Sequence, residues 1–278
     1  GGRGNTCAGD VAFIGGGESL TVSSAFAVVV GGQYQRIGSN ASHAFIGGGT
    51  KNAADAAYSA VLGGKGNTAG ALFSVVAGGK DNSVKDSFSS VAGGYENTVD
   101  GKYSSVSGGL WNDVVGEGST VGGGYFKQIS NRYAVVAGGA SNSATAAWTS
   151  VLGGERNKCK AVYGSIGGGY QNYVSGSYGS ASGGFSNTVY AGYACIGGGY
   201  GHTALSGATF GFVGGGIENK ISAGYNTIAG GYQNQVTKPY AAIGGGRAND
   251  CLGIAGFIGG GWENTVEGTG STVVGGKL

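Results

Sequence analysis

The side chains of highest chemical reactivity in this sequence are its thiols and imidazoles. The thiols belong to Cys7, Cys159, Cys195 and Cys251, and the imidazoles to His43 and His202. Such groups serve as nucleophiles, metal ligands or disulfide partners when their spacing brings them together. No C-x-x-C pair occurs, and the two histidines lie far apart in the repeat pattern described below. We therefore predict no metal site and no catalytic pair.

The motifs of the common enzyme classes are missing as well. The sequence contains no G-x-S-x-G elbow, no HExxH, no phosphate-loop GK[ST] and no paired carboxylates. We expect no enzymatic activity and no cofactor. A formal net charge of +2 without a cluster of Lys and Arg argues against nucleic acid. The longest apolar run, residues 25–30, is too short to cross a membrane.

Glycine pairs recur along the whole chain at a fixed spacing. Glycine accounts for 66 of the 278 residues, and nineteen Gly-Gly pairs begin at Gly1 and end at Gly275–Gly276. Sixteen of the eighteen intervals are 15 residues long and two are 17. A repeat this short and this regular indicates a solenoid, in which each coil is stabilised by its neighbours.

Within each coil, counted from the first glycine of its pair, four positions have a restricted composition. Position 5 is Asn in fourteen of eighteen coils, and position 7 is small or β-branched throughout. Position 12 is small, and position 14 is Ile or Val except at Ala181. Positions 5 and 7, and positions 12 and 14, are two residues apart, and this alternation is typical of strands. We predict two strands per coil, at roughly positions 5–7 and 12–15, with turns at the glycine pair and at positions 8–10.

These observations predict an all-β chain that forms one domain over residues 1–278. The domain is a parallel β-solenoid, or β-roll, of about eighteen coils of 15 residues. The two extra residues of each 17-residue coil are expected at the second turn. Inward Asn side chains should form a ladder between coils, in which Lys127 is hard to place because burial of an unpaired charge is costly. The cysteines lie too far apart along the stack for disulfides, so we expect buried free thiols.

One coil shows the repeat most clearly. Residues 93–107 read GGYENTVDGKYSSVS, which resembles the head repeats of trimeric autotransporter adhesins, the YadA-like head family. The resemblance covers nearly the whole chain. It implies a left-handed β-roll, association of three chains about a threefold axis, and a role as a surface adhesin. The handedness and the trimer rest on this resemblance.

Aromatic residues concentrate at two positions of the coil. Position 11 neighbours an inward position and should face outward, where it would form a subunit interface, a self-stacked ladder or a binding stripe. The position 11 residues are Phe26, Tyr58, Phe73, Phe88, Tyr103, Tyr133, Trp148, Tyr163, Tyr178, Tyr193, Phe210, Tyr225 and Tyr240. Position 3 lies beside the Gly-Gly turn and is better placed to contact a partner. Its aromatic residues are Tyr95, Tyr125, Tyr170, Phe185, Tyr200, Tyr232 and Trp262.

The sequence thus predicts a non-enzymatic extracellular protein, at a cell surface or in a virion fibre. The favoured role is an adhesive head that binds a host surface, a glycan or matrix, as a homo-oligomer and most simply a trimer. The alternatives are a filament subunit that polymerises by end-to-end stacking and a viral or phage fibre. Ice binding is disfavoured because no regular Thr face runs along the coils.

Overall fold

The computed structural model describes residues 1–277, and these form a parallel β-solenoid of about eighteen turns. Within that range every regular element is a strand, so no described segment is a helix able to cross a membrane. The Cα atoms group into two compact units, Gly1–Ala140 and Ser141–Leu278, which are described separately below. The all-β solenoid predicted from the glycine spacing is confirmed.

In the first unit each coil contributes one strand at positions 6–7 and one at positions 13–14. The first set is Thr6–Cys7, Thr21–Val22, Arg36–Ile37, Ala53–Ala54, Thr68–Ala69, Ser83–Val84, Thr98–Val99, Asp113–Val114 and Gln128–Ile129. The second set is Phe13–Ile14, Val28–Val29, Phe45–Ile46, Ala60–Val61, Val75–Val76, Ser90–Val91, Ser105–Val106, Thr120–Val121 and Val135–Val136. Gly2–Arg3 and Gly17–Glu18 form a short additional pair.

The second unit repeats this arrangement. Its strands at positions 6–7 are Ser143–Ala144, Lys158–Cys159, Tyr173–Val174, Thr188–Val189, Thr203–Ala204, Lys220–Ile221, Gln235–Val236, Asp250–Cys251 and Thr265–Val266. Its strands at positions 13–14 are Ser150–Val151, Ser165–Ile166, Ser180–Ala181, Cys195–Ile196, Phe212–Val213, Thr227–Ile228, Ala242–Ile243, Phe257–Ile258 and Thr272–Val273. We call the two sets the first sheet and the second sheet.

Neighbouring coils of a unit pair in parallel and in register. Cα partners differ by one repeat, as in Ala60 with Val75 of the second sheet and Thr68 with Ser83 of the first. The strands are shorter than predicted because positions 4 and 11 adopt positive φ and bend the backbone beside each strand. At the bend a single parallel bridge at position 3, such as that between Tyr95 and Leu110, continues the pairing.

The two 17-residue coils keep this register. In the coil of residues 31–47, Arg36 pairs with Ala53 of the next coil and Phe45 pairs with Val28 of the previous one. The extra residues therefore lie between the two strands of the coil, at the second turn. The position predicted for both insertions is confirmed, since the coil of residues 198–214 has the same arrangement.

In most pairs only the second glycine is required by the geometry within the chain, whereas Gly108 and Gly123, each first in its pair, also have a positive φ, of +159° and +152°. Gly154 has φ +80°, and a Cβ there would lie 2.1 Å from the carbonyl oxygen of Gly169. That φ and that contact exclude other residues. Gly153, the first glycine of the same pair, has no atom within 4 Å of a Cβ placed on it. The tight backbone approach predicted for the pair thus applies to one glycine of the two.

The core between the sheets is thin and combines aliphatic side chains with amides. Position 7 and position 14 side chains such as Val174 and Ile166 are fully buried. Asn172 at position 5 donates from Nδ2 to the carbonyl oxygens of Gly168 and Gly184, at 2.9 and 3.0 Å, and its Oδ1 accepts from the N–H of Asn187 at 3.0 Å. The predicted Asn ladder therefore exists, and most of its bonds tie the glycine turn to the next coil.

Lys127 and His202 replace Asn in this ladder. The Nζ of Lys127 donates to the carbonyl oxygens of Gly139 and Tyr125, and the side chain is 1% exposed. Burial lowers the pKa of Lys127 to about 8. Lys127 thus occupies the core with hydrogen-bond partners, which resolves the difficulty raised by its sequence position. His202 is also buried, and its Nδ1 accepts from the N–H of Asn219 at 3.0 Å.

The four cysteines are unpaired, as predicted, but only two of them are buried. Cys159 and Cys251 lie in the core, where burial raises the pKa of each thiol. Cys7 is exposed, and its strand pairs with Thr21–Val22 of the following coil. Cys195 is half-buried because position 13 faces outward. The prediction of four buried thiols was wrong for these last two.

Candidate binding surface

The position 11 side chains of the first unit form a continuous ladder of stacked rings. From Phe26 to Tyr103, adjacent ring centroids are 4.8–5.2 Å apart with interplanar angles of 10–23°. His43 occupies one place in this ladder, between Phe26 and Tyr58. Of the roles considered for position 11, the geometry establishes the self-stacked ladder.

The second unit has an equivalent ladder, which runs from Trp148 to Tyr240. Its adjacent centroids are 4.8–5.2 Å apart except for the pair of Trp148 and Tyr163, at 6.1 Å. The rings remain 47–63% exposed, because their edges face solvent. Each internal ring has both faces covered by neighbouring rings, so little ring face is left for a ligand.

Every aromatic residue of these ladders has a left-handed backbone. The φ angles of the position 11 aromatic residues lie between 54 and 63°. Bulky side chains adopt this region rarely, at a cost of about 1–2 kcal/mol each. Stacking of a ring pair contributes about 0.5–1.5 kcal/mol beyond burial, which offsets much of that cost. The ladder therefore stabilises a turn that the backbone alone disfavours.

Gly118 interrupts the ladder of the first unit. It has φ 63°, the same conformation as its aromatic counterparts. A Cβ on Gly118 would lie 2.7 Å from Cδ1 of Tyr133, so the ring of Tyr133 leans over the glycine. The ladder is thus discontinuous after Tyr103.

The position 3 residues lie along the Gly-Gly edge of each unit, as predicted. In the second unit Tyr170, Phe185 and Tyr200 stack at 5.0 and 5.1 Å. The other two aromatic residues of this column, Tyr232 and Trp262, share the guanidinium of Arg247, whose Cζ lies 5.4 and 5.0 Å from their ring centroids. These ring faces are therefore already occupied by other rings or by a cation.

A different arrangement occurs at the Gly-Gly edge of the first unit. There Tyr95 and Tyr125 of position 3 meet Trp111 and Phe126 of position 4, and we call these four residues the tilted cluster. Their ring planes are inclined by 47° (Tyr95 and Trp111), 56° (Trp111 and Tyr125) and 38° (Tyr125 and Phe126). The sequence analysis did not select Trp111 or Phe126, although the adjacent aromatic pair Tyr125–Phe126 was a visible signal.

A carboxylate is attached to the tilted cluster. The Nε1 of Trp111 donates to Oε2 of Glu96 at 2.7 Å, which fixes the orientation of the indole. Hydrogen bonds from Tyr95 and then from Trp111 lower the pKa of Glu96, and the same contact with Glu96 raises the pKa of Tyr95. Glu96 therefore carries a negative charge at neutral pH.

Two further features of the described residues bear on possible binding sites. Within residues 1–277 no three His, Cys, Asp or Glu side chains lie close enough to hold a metal ion. A shallow groove of about 190 Å³ lies on the second sheet of the second unit, and it offers hydroxyls but no charged group. Its lining includes Ser150, Leu152, Ser165, Ser180 and Ser182.

The outer face of the second sheet has a distinct composition. Positions 13 and 15 of all eighteen coils contain no Asp, Glu, Lys or Arg, whereas the outer positions of the first sheet include Arg36, Asp113 and Lys158. We call this surface the uncharged face. It exposes large apolar side chains such as Leu152, at 59%.

Comparisons with known proteins assign no family to this chain. No protein-family model matches the chain, and a comparison with curated proteins likewise yields no significant match.

Proposed function

We propose that this chain is a non-enzymatic extracellular fibre protein that acts as the adhesive head of a surface or fibre assembly. The observation that carries the proposal is the set of aromatic side chains along the Gly-Gly edge, of which Tyr125, Phe185 and Tyr200 are 41–46% exposed. Partly exposed aromatic rings on a regular scaffold are typical of binding surfaces. The resemblance of the repeat to YadA-like heads supports the same role.

The environment of the reactive side chains supports a role without catalysis. Lys127, His202, Cys159 and Cys251 are all buried within the solenoid, out of reach of a substrate. Burial raises the pKa of both thiols and so disfavours the nucleophilic thiolate. These groups act as core residues.

Self-association is the second part of the proposal. In each unit the uncharged face lacks charge in every coil and exposes apolar side chains, and a surface of this kind is best covered by a second copy of the chain. A homotrimer, the state that the family resemblance implies, would place this face at the contacts between chains.

Adhesion is tested with the purified chain on immobilised glycans, matrix proteins and whole cells. We expect saturable binding that is reduced when Tyr125 at the Gly-Gly edge, whose ring has no parallel neighbour, is changed to Ala. Absence of binding to every surface would reject the adhesive role. In that case electron microscopy across a concentration series distinguishes a structural filament from discrete particles.

Association is tested by sedimentation of the wild type and of Leu152→Lys. We expect a stable oligomer for the wild type and a shift to smaller species for Leu152→Lys, because a lysine on the uncharged face would be buried without a partner. Thr188→Lys is the matched control, since its position on the first sheet already holds Lys158 and Lys220 in other coils. A wild-type monomer at all concentrations would contradict the oligomer.

A further inference from the structure

The tilted cluster brings together four aromatic rings of the first unit whose faces are not covered by parallel neighbours. Its interplanar angles of 38–56° contrast with the 10–23° of the stacked ladder in the same unit. Trp111, Tyr125 and Phe126 are 40, 43 and 57% exposed. Solvent, and hence a ligand, can reach these rings.

Cations recur over aromatic rings along the Gly-Gly edge. The Nζ of Lys80 lies 4.7 Å from the centroid of Tyr95, and that of Lys277 lies 4.5 Å from the centroid of Trp262. The negative face of an aromatic ring attracts such charges. In the part of the chain that the structure describes, no Lys or Arg lies over Trp111, Tyr125 or Phe126. Three electron-rich faces are therefore left without a cation.

Glu96 adds a negative charge beside these rings, and the nearby Lys80, which lies over Tyr95, balances part of that charge. Its carboxylate already accepts the hydrogen bond from Trp111 and interacts with the hydroxyl of Tyr95. What it still offers a ligand is mainly its charge, which favours a cation over a neutral sugar that depends on hydrogen bonds to its hydroxyls. The best-matched ligand is a cation that needs no hydrogen-bond acceptor.

We propose that the tilted cluster binds a quaternary ammonium group, of the kind that choline and phosphocholine carry on cell surfaces. A trimethylammonium group presents a positive charge covered by methyl groups, so it packs against ring faces and loses few hydrogen bonds with water. Trp111, Tyr125 and Phe126 supply the faces, and Glu96 supplies the compensating charge. The biological role of this site rests on the proposed adhesive function, whereas the binding itself does not.

Binding is tested with choline chloride as the probe and the indole N–H signals of the intact chain as the readout. The three tryptophans give three signals, and Trp111→Phe assigns the relevant one. We expect choline to shift the Trp111 signal saturably, with equal concentrations of sodium chloride as the reference. The neutral isostere 3,3-dimethylbutanol should bind at least tenfold more weakly. Equal binding of the isostere, or no choline-dependent shift, would overturn the proposal.

Two substitutions test whether the Trp111 ring and the Glu96 charge contribute to choline binding. Trp111→Ala and Glu96→Gln should each weaken choline binding by about fivefold or more, as measured by titration calorimetry, because Trp111→Ala lacks the reporting indole N–H. Trp262→Ala and Glu218→Gln are the matched controls and should leave it unchanged. The ring of Trp262 is already covered by Arg247 and Lys277. Glu218 lies at the same coil position as Glu96, but its carboxylate accepts a hydrogen bond from Gln233. Because these side chains face outward, all four variants should melt within a few degrees of the wild type. An equal loss of choline affinity in the control variants would refute the assignment.

Adhesion assays separate this site from the general function. Binding to phosphatidylcholine vesicles against binding to phosphocholine-conjugated albumin distinguishes a lipid source from a soluble one. Adhesion that persists in Trp111→Ala and resists competing choline would sink the choline site while leaving the adhesive function intact. Choline binding by a chain that adheres to no surface would support the choline site and reject the adhesive function. Capture of a neutral glycan at Trp111, unaffected by choline, would also refute the proposal.

Discussion

The ring of Tyr178 lies parallel to the ring of Tyr193, with centroids 4.8 Å apart and 4° between their planes. Tyr178 also stacks on Tyr163 at 4.8 Å, so both of its faces are covered. The spacing matches the separation of neighbouring coils. Side-chain stacking and backbone pairing therefore share one repeat, and each stabilises the other.

Replacement of Tyr178 distinguishes the contribution of the ring from that of the backbone. Tyr178→Ala removes two stacking contacts but keeps a Cβ at φ 58°, and we expect a loss of about 1–3 kcal/mol in the free energy of unfolding. Tyr178→Gly loses the same contacts but relieves the left-handed strain, so it should be less destabilising than Ala. Chemical denaturation measures both, and a Gly variant less stable than the Ala variant would contradict this account of position 11.

The glycine pair at Gly153 and Gly154 provides an internal comparison. Gly154→Ala places a methyl group 2.1 Å from the carbonyl of Gly169 at a φ of +80° and should cost more than about 2 kcal/mol. Gly153→Ala points its methyl group into open space and should stay within about 0.5 kcal/mol of the wild type. Thermal melts of the two variants at a concentration that keeps the oligomeric state fixed test this asymmetry. Similar melting temperatures would mean that the close backbone approach is not the constraint.

Removal of one ladder amide should have a large effect. Asn172→Ala leaves the carbonyl of Gly168 and the N–H of Asn187 without a partner, while the carbonyl of Gly184 keeps the bond from the N–H of Tyr170, and we expect a loss of about 2–4 kcal/mol. Asn172→Asp keeps the shape but, when ionised, points a carboxylate at two carbonyl oxygens, so it should be at least as harmful at pH 7. Urea denaturation measures both. If Asp were tolerated as well as Asn, the donor role of Nδ2 would be wrong.

His202 makes stability dependent on pH. Burial lowers its pKa below the value of about 6.5 in the unfolded chain. Below that value the unfolded chain binds more protons than the folded one, so stability falls as pH decreases from about 7 to 5. His202→Asn restores the ladder residue and should be more stable at pH 5, with a smaller difference at pH 8. A constant difference between the two proteins across this range would show that His202 does not titrate in this way.

Lys127 makes the stability of the fold depend on pH in the alkaline range. Its pKa is about 8 when folded, against about 10.4 for an unperturbed lysine, so the unfolded chain binds more protons between these values. The contribution of Lys127 therefore becomes more favourable as pH rises from 8 to 10. Lys127→Asn should gain about 1 kcal/mol at pH 7 and lose part of that advantage at pH 10. Denaturation of both proteins at the two pH values checks the sign, with Lys85→Asn as a control at an outward position.

Much of the fold follows from the sequence because the repeat samples each coil position eighteen times. Val and Ile at position 14, small or β-branched residues at position 7 and Asn at position 5 are together typical of inward positions of stacked strands. The register across the coil of residues 31–47 was predictable for the same reason, since its strands keep their composition on both sides of the insertion. The buried ladder was likewise predictable, although its main partners are glycine carbonyls.

Other features depend on backbone angles and local contacts that composition does not report. Aromatic residues normally avoid positive φ, so nothing about Tyr103 or Phe88 indicated a left-handed turn. Trp111 and Phe126 occupy position 4 of two neighbouring coils, a position that elsewhere holds residues such as Ser186 or Gln171, and so few departures from the pattern are easily overlooked.

The insertions at the second turn define how a protein of this type can change over evolutionary time. An added segment between the strands leaves both sheets paired, as the coils of residues 31–47 and 198–214 demonstrate. Duplication of any complete 15-residue segment would also preserve every ladder, whereas a gain of another length within a strand would shift the inward residues to the surface. Such a gene can therefore lengthen in whole coils and diversify by grafting loops at one corner, with no need to redesign its interior.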